Sequence, residues 1–378
     1  MKIAPLLLLA AVACGGPFSS GSSSSSLESA VSAPGPAAAA SATVVVHYPA
    51  GWGHHISLRG SGGGLSWSRG TDARWSAGDE WRLSLPLAGA AQLKPLFDDA
   101  AWAIGPNWTL APGQTLDVWP HFFNDAGTLT TRDGWWSNRL QNARTIWVYL
   151  PPSYAENAGE RFPVVYMHDG QNLFVDSASF SGVSWNVAGA MDLGARDGTI
   201  HEAIVIGVDN NGDRLNEYTP VADPQYGGGN AGAYLGFLAD ELKPAIDSQY
   251  RTLSDRGSTA IIGSSLGGLA SAYAGLARAE TFGLIGVMSP STWWDNDWII
   301  GAVAGTRAVY QKPVRAYVDS GDSGPSSDDL TQTAQLAQAY RGIGWVQVGY
   351  VVQKGGQHGE EWWRERVPGA LGFLLGAR

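Results

Sequence analysis

Between residues 138 and 378 the chain alternates short apolar runs of strand length with helical stretches, and no other feature narrows its fold as far. The runs fall at 145–150, 163–167, 202–207, 258–262, 283–288, 315–318 and 346–352, with helical segments at 233–246 and 266–279 among them. Continuously apolar strands are buried on both faces, and their alternation with helices specifies a mostly parallel sheet covered on both sides. The expected architecture is a doubly wound α/β domain spanning residues 138–378. Sheets of this kind carry their chemistry at the carboxyl ends of the strands, so functional residues are sought there.

One such end reads Gly263-Ser264-Ser265-Leu266-Gly267-Gly268, between an apolar run and a helix. This is a G-x-S-x-G in the strand–turn–helix setting that the motif requires, with Ser265 as the candidate nucleophile. At a helix N-terminus the dipole and the free Leu266 N–H favour a developing oxyanion. A serine hydroxyl needs an imidazole to activate it and an acid to fix that imidazole's tautomer. Only His358 follows Ser265, in Gly355-Gly356-Gln357-His358-Gly359, which makes it the candidate base. The acid is expected just beyond the run at 315–318, where Asp322 is the first choice. Asp319, which falls within the strand, and Asp328 are the alternatives, and Asp328 and Asp329 are also placed to cap the next helix.

Composition closes off other chemistry. With 24 basic against 34 acidic residues the net charge is −10, and no basic stripe suits a nucleic-acid backbone. The single cysteine, Cys14, excludes intrachain disulfides and thiolate metal sites. No metal or organic cofactor is implied. Met1 and Lys2 followed by an apolar run ending Ala11-Val12-Ala13-Cys14 read as a secretory signal over residues 1–13, too short to span a bilayer. The segment resembles a bacterial lipoprotein signal, although Ala11 stands where leucine is usual. That resemblance implies cleavage before Cys14, lipid attachment there and a cell-envelope location. An ordinary signal, giving a periplasmic or secreted protein, is the alternative. Residues 14–42, rich in Gly, Ser, Ala and Pro, read as a flexible tether.

Residues 43–123 change character: short alternating runs punctuated by Gly, Ser, Asn and Asp suggest a small β-sandwich, with 124–137 as a linker. The order Tyr48-Pro-Ala-Gly51, Leu65-Ser-Trp67, Trp81, Leu93-Lys-Pro95 and Gly105-Pro-Asn107 resembles starch- and glycogen-binding-like modules that precede catalytic domains. Its tryptophans suit either a core or sugar stacking. Such a module targets a polysaccharide or shapes the mouth of the site.

From about Asn138 onward the chain resembles the esterase D-like, feruloyl esterase-like family of α/β-hydrolases. The matching pieces are His168-Asp169-Gly170-Gln171-Asn172, Arg214 with Glu217-Tyr218, the serine elbow, Met288-Ser-Pro290 with Trp293-Trp294, and His358 with Glu360 and Trp362. The resemblance implies a serine esterase, with the Gln171 N–H as second oxyanion donor beside Leu266 and an Arg214–Glu217 structural ion pair. Gly324 stands where many relatives carry an acid, which also makes a Ser–His dyad conceivable. Trp185, Trp293, Trp294 and Trp362 are the candidate substrate contacts. Carbohydrate-linked feruloyl or acetyl esters are the favoured substrates. The alternatives are siderophore ester hydrolysis, acyl transfer, or a surface glycan-binding lipoprotein without catalysis. Oligomeric state is not legible.

Overall fold

The computed structural model describes residues 38–306, 315–345 and 347–376, so the expected leader, Cys14 and most of the tether lie outside the described residues. The chain divides into Met1–Ala38 and one compact unit, Ala39–Arg378.

The front of the compact unit is a two-sheet β module. One sheet runs Arg74–Ser76, Glu80–Leu87, Ala40–His47 and Thr115–Val118. In the other, Thr71–Asp72, Ile56–Ser61 and Ala91–Phe97 pair in that order, and both Ala101–Trp102 and Trp108–Leu110 join Ala91–Phe97. Alternation along Ala40–His47 turns Ala42, Val44 and Val46 inward, where they meet Ile56, Leu58, Leu93 and Leu110. The first strand therefore starts at Ala40, inside the expected tether.

The α/β domain is built on eight strands: β1 (Thr128–Ser137), β2 (Asn142–Leu150), β3 (Val164–His168), β4 (Ile204–Val208), β5 (Thr259–Ser265), β6 (Leu284–Pro290), β7 (Arg315–Gly321) and β8 (Gln347–Gln353). Their order is β1-β2-β4-β3-β5-β6-β7-β8. β2 runs antiparallel to both its neighbours and the other pairings are parallel. Four helices frame the site: α1 (Val187–Asp197), α2 (Leu266–Ala277), α3 (Leu330–Gly342) and α4 (Glu360–Leu375). Ile261, Ile285 and Val318 point into a core shared with α2 and α3. Their neighbours Ala260, Ile262 and Tyr317 point into a second core with α1 and α4. The sheet is thus buried on both faces, as the unbroken apolar runs require.

The stretch expected as a linker is mostly strand β1. It escapes a hydrophobicity reading because it is an edge strand whose side chains alternate between exposed and half-buried, with only Ser137 buried. The module is anchored far from the carboxyl edge. Tyr149 of β2 pairs with Val205 at the start of β4, so the end of β2 lies at the amino edge of the parallel strands. Just past it, Glu156 accepts hydrogen bonds from the backbone N–H groups of Phe122, Phe123 and Asn124 and from Tyr48 Oη. Asn157 Nδ2 donates to the His47 carbonyl.

Candidate active site

Ser265 ends β5 and precedes α2 with φ 56° and ψ −125°, a conformation that non-glycine residues rarely adopt. The turn is possible because Gly263 lacks a side chain: a Cβ there would sit 2.5 Å from the His168 ring and 2.6 Å from the Gly267 carbonyl carbon. Half-buried, Ser265 faces a cavity of about 470 Å³ that His358 also lines. Its Oγ lies 3.3 Å from Ser291 Oγ, and no hydrogen bond joins it to His358 among the described residues.

His358 sits on the loop between β8 and α4, with Nδ1 2.7 Å from Asp328 Oδ1. Engagement of Nδ1 leaves Nε2 as the ring nitrogen available to a serine. Trp363 packs edge-on against the imidazole, with centroids 5.0 Å apart at 81°. The carboxylate at the histidine is thus Asp328, not Asp322. Asp322 accepts from Gly355 N–H (2.7 Å) and Ser323 Oγ (2.9 Å), and so ties the end of β7 to the histidine loop. Asp319 is fully buried within β7, where it accepts from Ser289 N–H; burial raises its pKa to about 6. Distance along the chain misleads because Ser327, Asp328 and Asp329 all adopt positive φ, which folds the chain back beneath Gly321. Burial pushes the Asp328 pKa up. Hydrogen bonds from His358, Gly321 N–H and Ser289 outweigh it and hold the group below its ordinary value.

Across the cavity lies the loop after β3. Asp169 has φ 56° and is buried, and its carboxylate receives two hydrogen bonds from Arg214 (2.7 and 2.8 Å) and one from Asn210 Nδ2 (2.6 Å). Burial would raise the Asp169 pKa, but the Arg214 charge and these hydrogen bonds lower it. A Cβ on Gly170 would lie 2.8 Å from the Gly207 carbonyl carbon and from Val208 N, so glycine alone lets the loop approach β4. Gln171 lines the cavity, and its Oε1 accepts from Asn210 N–H at 3.1 Å. Leu266 opens α2 on the serine side. The expected Arg214–Glu217 pair is not formed: Arg214 holds Asp169, and Glu217 forms a buried pair with Arg144 at 2.8 Å.

Residues 137–374 match the family described as "Putative esterase". This chain belongs to that esterase family. The esterase is similar to the uncharacterized protein YbbA of Bacillus subtilis, with 27% identity over 62% of this chain and 93% of that one. It is 30% identical to an endo-1,4-beta-xylanase/feruloyl esterase of Xylanibacter ruminicola over 43% of this chain and 22% of that protein. With an iron(III) enterobactin esterase of Dickeya dadantii it shares 28% identity over 57% of this chain and 47% of the relative. The chain thus spans under half the length of the latter two. In fold it resembles a ferulic acid esterase structure (TM-score 0.53, 23% identity, 66% of this chain and 98% of that one). A second fold match is the enterobactin esterase of Shigella flexneri (TM-score 0.52, 16% identity, 85% and 88%). The wider coverage of the latter carries the likeness from the esterase domain into the front module.

The expected aromatic contacts separate. Trp185 (2% exposed) and Trp294 (1%) are core residues, the latter donating from Nε1 to the Val221 carbonyl. Trp293 is half-exposed against Tyr226, and Trp362 is half-buried on α4; neither lines the cavity. Trp363 does, together with Phe180, which is 92% exposed, and with Asn172, Asn210 and Asn211. No signal separates Trp363 from Trp362 except helical phase, which turns the former into the sheet. No described cluster of histidine, cysteine or acidic residues could hold a metal ion.

Proposed function

We propose that this esterase cleaves carboxylic esters through an acyl-enzyme on Ser265. The observation that carries the reading is the imidazole of His358, tied through Nδ1 to Asp328 and facing the cavity shared with the strained serine. After rotation of its Oγ away from Ser291, Ser265 passes its proton to His358 Nε2 as the hydroxyl attacks the ester carbonyl. The Leu266 and Gln171 N–H groups receive the oxyanion, and Asp328 stabilises the imidazolium. Collapse of the tetrahedral intermediate breaks the ester C–O bond, and the alcohol leaves with the proton from His358. Water, deprotonated by the same imidazole, then releases the acid and restores the serine. Folded Ser265→Ala is expected to lose at least about 10³-fold in kcat on p-nitrophenyl acetate. Wild-type-like turnover by that variant would refute the reading.

Carbohydrate-linked esters suit the cavity best. Asn172, Asn210, Asn211 and Gln171 offer neutral donors and acceptors, and Phe180 and Trp363 offer apolar ring faces. A ferric catecholate ester, favoured by the names of several relatives, is anionic. Here the Arg214 charge is spent on Asp169, and Glu360 adds negative charge. Faster turnover of feruloylated or acetylated sugars than of a tricatecholate lactone supports the first substrate class; the reverse order selects the second. Acyl transfer instead of hydrolysis would appear as a new ester when an acceptor sugar is added. The leader and Cys14 support export with a lipid anchor. Membrane-fraction recovery that survives Cys14→Ser would refute the anchor.

A further inference from the structure

Asp328 stands on a strained turn that is closed by Ser327 N–H to the Gly324 carbonyl and Asp329 N–H to the Ser326 carbonyl. Ser327, Asp328 and Asp329 have φ of 49°, 51° and 51°, a run of left-handed conformations with no glycine among them. The Asp328 carboxylate is also held from other elements: Oδ2 accepts from Gly321 N–H of β7 at 2.5 Å and lies 3.5 Å from Arg366 Nη1, and the contact that links it to the rest of the site is Ser289.

Ser289 occupies an irregularity in the sheet. Ser264 pairs with Met288 but Ser265 pairs with Pro290, so Ser289 is passed over as a bulge, buried, with φ 36°. Bulges beside active sites redirect side chains, and this one brings the Ser289 hydroxyl to Asp328 and α4. Ser289 Oγ lies 2.6 Å from Asp328 Oδ2, 3.0 Å from Trp363 Nε1 and 2.6 Å from Arg366 Nη2. An indole N–H and a guanidinium can only donate, so the hydroxyl accepts from both. Its single proton is thereby committed to Asp328. The same residue's backbone N–H donates to Asp319 at 3.1 Å, keeping the second buried carboxylate apart from the first. Trp363 is in turn the ring packed edge-on against His358.

We propose that Ser289 is a positioning residue that, saturated by Trp363 and Arg366, directs its proton to Asp328 Oδ2 and, together with the Gly321 N–H, reserves Oδ1 for the histidine. The inference rests on the reading of Asp328 as the acid of a Ser265–His358 esterase. Ser289 does not line the cavity at Ser265, and its effect is transmitted through the acid and the indole beside the imidazole.

The test is a double-mutant cycle on p-nitrophenyl acetate hydrolysis with the full chain, using Ser289→Gly, Ser289→Ala and Asp328→Asn. Glycine removes the hydroxyl while accepting the positive φ, so Ser289→Gly separates loss of the hydrogen bond from backbone strain. Asp328→Asn alone is expected to lower kcat by about 10³-fold or more. Ser289→Gly is expected to keep Tm within a few degrees of wild type and to lower kcat roughly ten- to hundredfold with KM unchanged. It should also abolish the downfield proton NMR resonance of the His358 Nδ1–H. In the Asp328→Asn background the same change should cost less than about twofold. A Ser289→Gly enzyme within threefold of wild type, or losses that multiply in the double variant, would overturn the positioning role. If Ser289→Ala unfolds, the glycine variant still decides. Should Asp328→Asn itself retain wild-type turnover, it is the assignment of the acid that fails, and the cycle tells the two failures apart.

Discussion

At the scale of single residues the site is governed by how buried carboxylates share few cations. Arg366 lies 3.6 Å from Asp319 and 3.5 Å from Asp328, and one guanidinium serves both. Asp328 gains additional hydrogen bonds and its pKa falls. Asp319 has Ser289 N–H and Tyr317 beside it, but burial outweighs them and raises its pKa to about 6. A raised carboxyl pKa means that the fold prefers the protonated form. The stabilisation is complete below the unfolded value of 3.8 and is lost as pH rises through about 6. Relative to wild type, Asp319→Asn is therefore expected to raise Tm at pH 8 and to change it little at pH 4. The gain is at most about 3 kcal/mol, since a tenfold change in proton affinity corresponds to about 1.4 kcal/mol. Thermal melts at the two pH values check this, and an equal change at both refutes it. Ser265 and His358 were legible in the sequence because a motif with a required setting names the one and elimination the other. Which of the candidate aspartates meets the imidazole was not, since three successive left-handed residues leave no mark in composition and bring Asp328 rather than Asp322 to His358.

Among the elements, the loop after β3 depends most on a single atom. Between Asp169, clamped by Arg214 and Asn210, and Gln171, fixed through Asn210 N–H, stands Gly170 with backbone on the far side at 2.8 Å. Backbone cannot yield as a side-chain tip can, so in Gly170→Ala the loop itself must withdraw and carry the Gln171 N–H with it. Loss of an oxyanion donor costs about 10²–10³ in kcat. The variant is expected to show that loss on p-nitrophenyl acetate with KM little changed; full activity would remove Gln171 from the oxyanion site. The Arg214–Asp169 clamp shows what spacing along a chain cannot convey. Arg214 and Glu217 invite pairing at three residues' separation, yet each is matched to a residue more than 40 positions away. By contrast the parallel strands and α2 were readable, because burial on both faces writes itself as unbroken apolar runs. Strand β1, exposed along one edge, left no such record.

At the scale of the whole molecule, the front module and the cavity at Ser265 occupy opposite edges of one sheet. Its polar attachment converges on Glu156, which gathers three backbone N–H groups and the Tyr48 hydroxyl. The cavity at Ser265 is lined only by residues from Asp169 onward. A module in this position does not form the mouth of the site, so its use must be separable from catalysis. Its own surface offers a reason to retain it: Trp52, held between Gly51 and Gly53 at positive φ, is fully exposed, and Trp75 is half-exposed at the same depression. Exposed indoles carry an apolar cost that a stacked ligand recovers. Deleting the module up to Asn124, upstream of β1 rather than within it, is therefore expected to leave kcat/KM on p-nitrophenyl acetate within about twofold. Tm should fall, because Glu156 and the buried face that it anchors are stripped of partners. In affinity electrophoresis through arabinoxylan or glycogen the full chain should be retarded, and the truncated chain and Trp52→Ala should not. Loss of soluble-ester activity on deletion would instead show that the module reaches the cavity by a route these contacts do not contain.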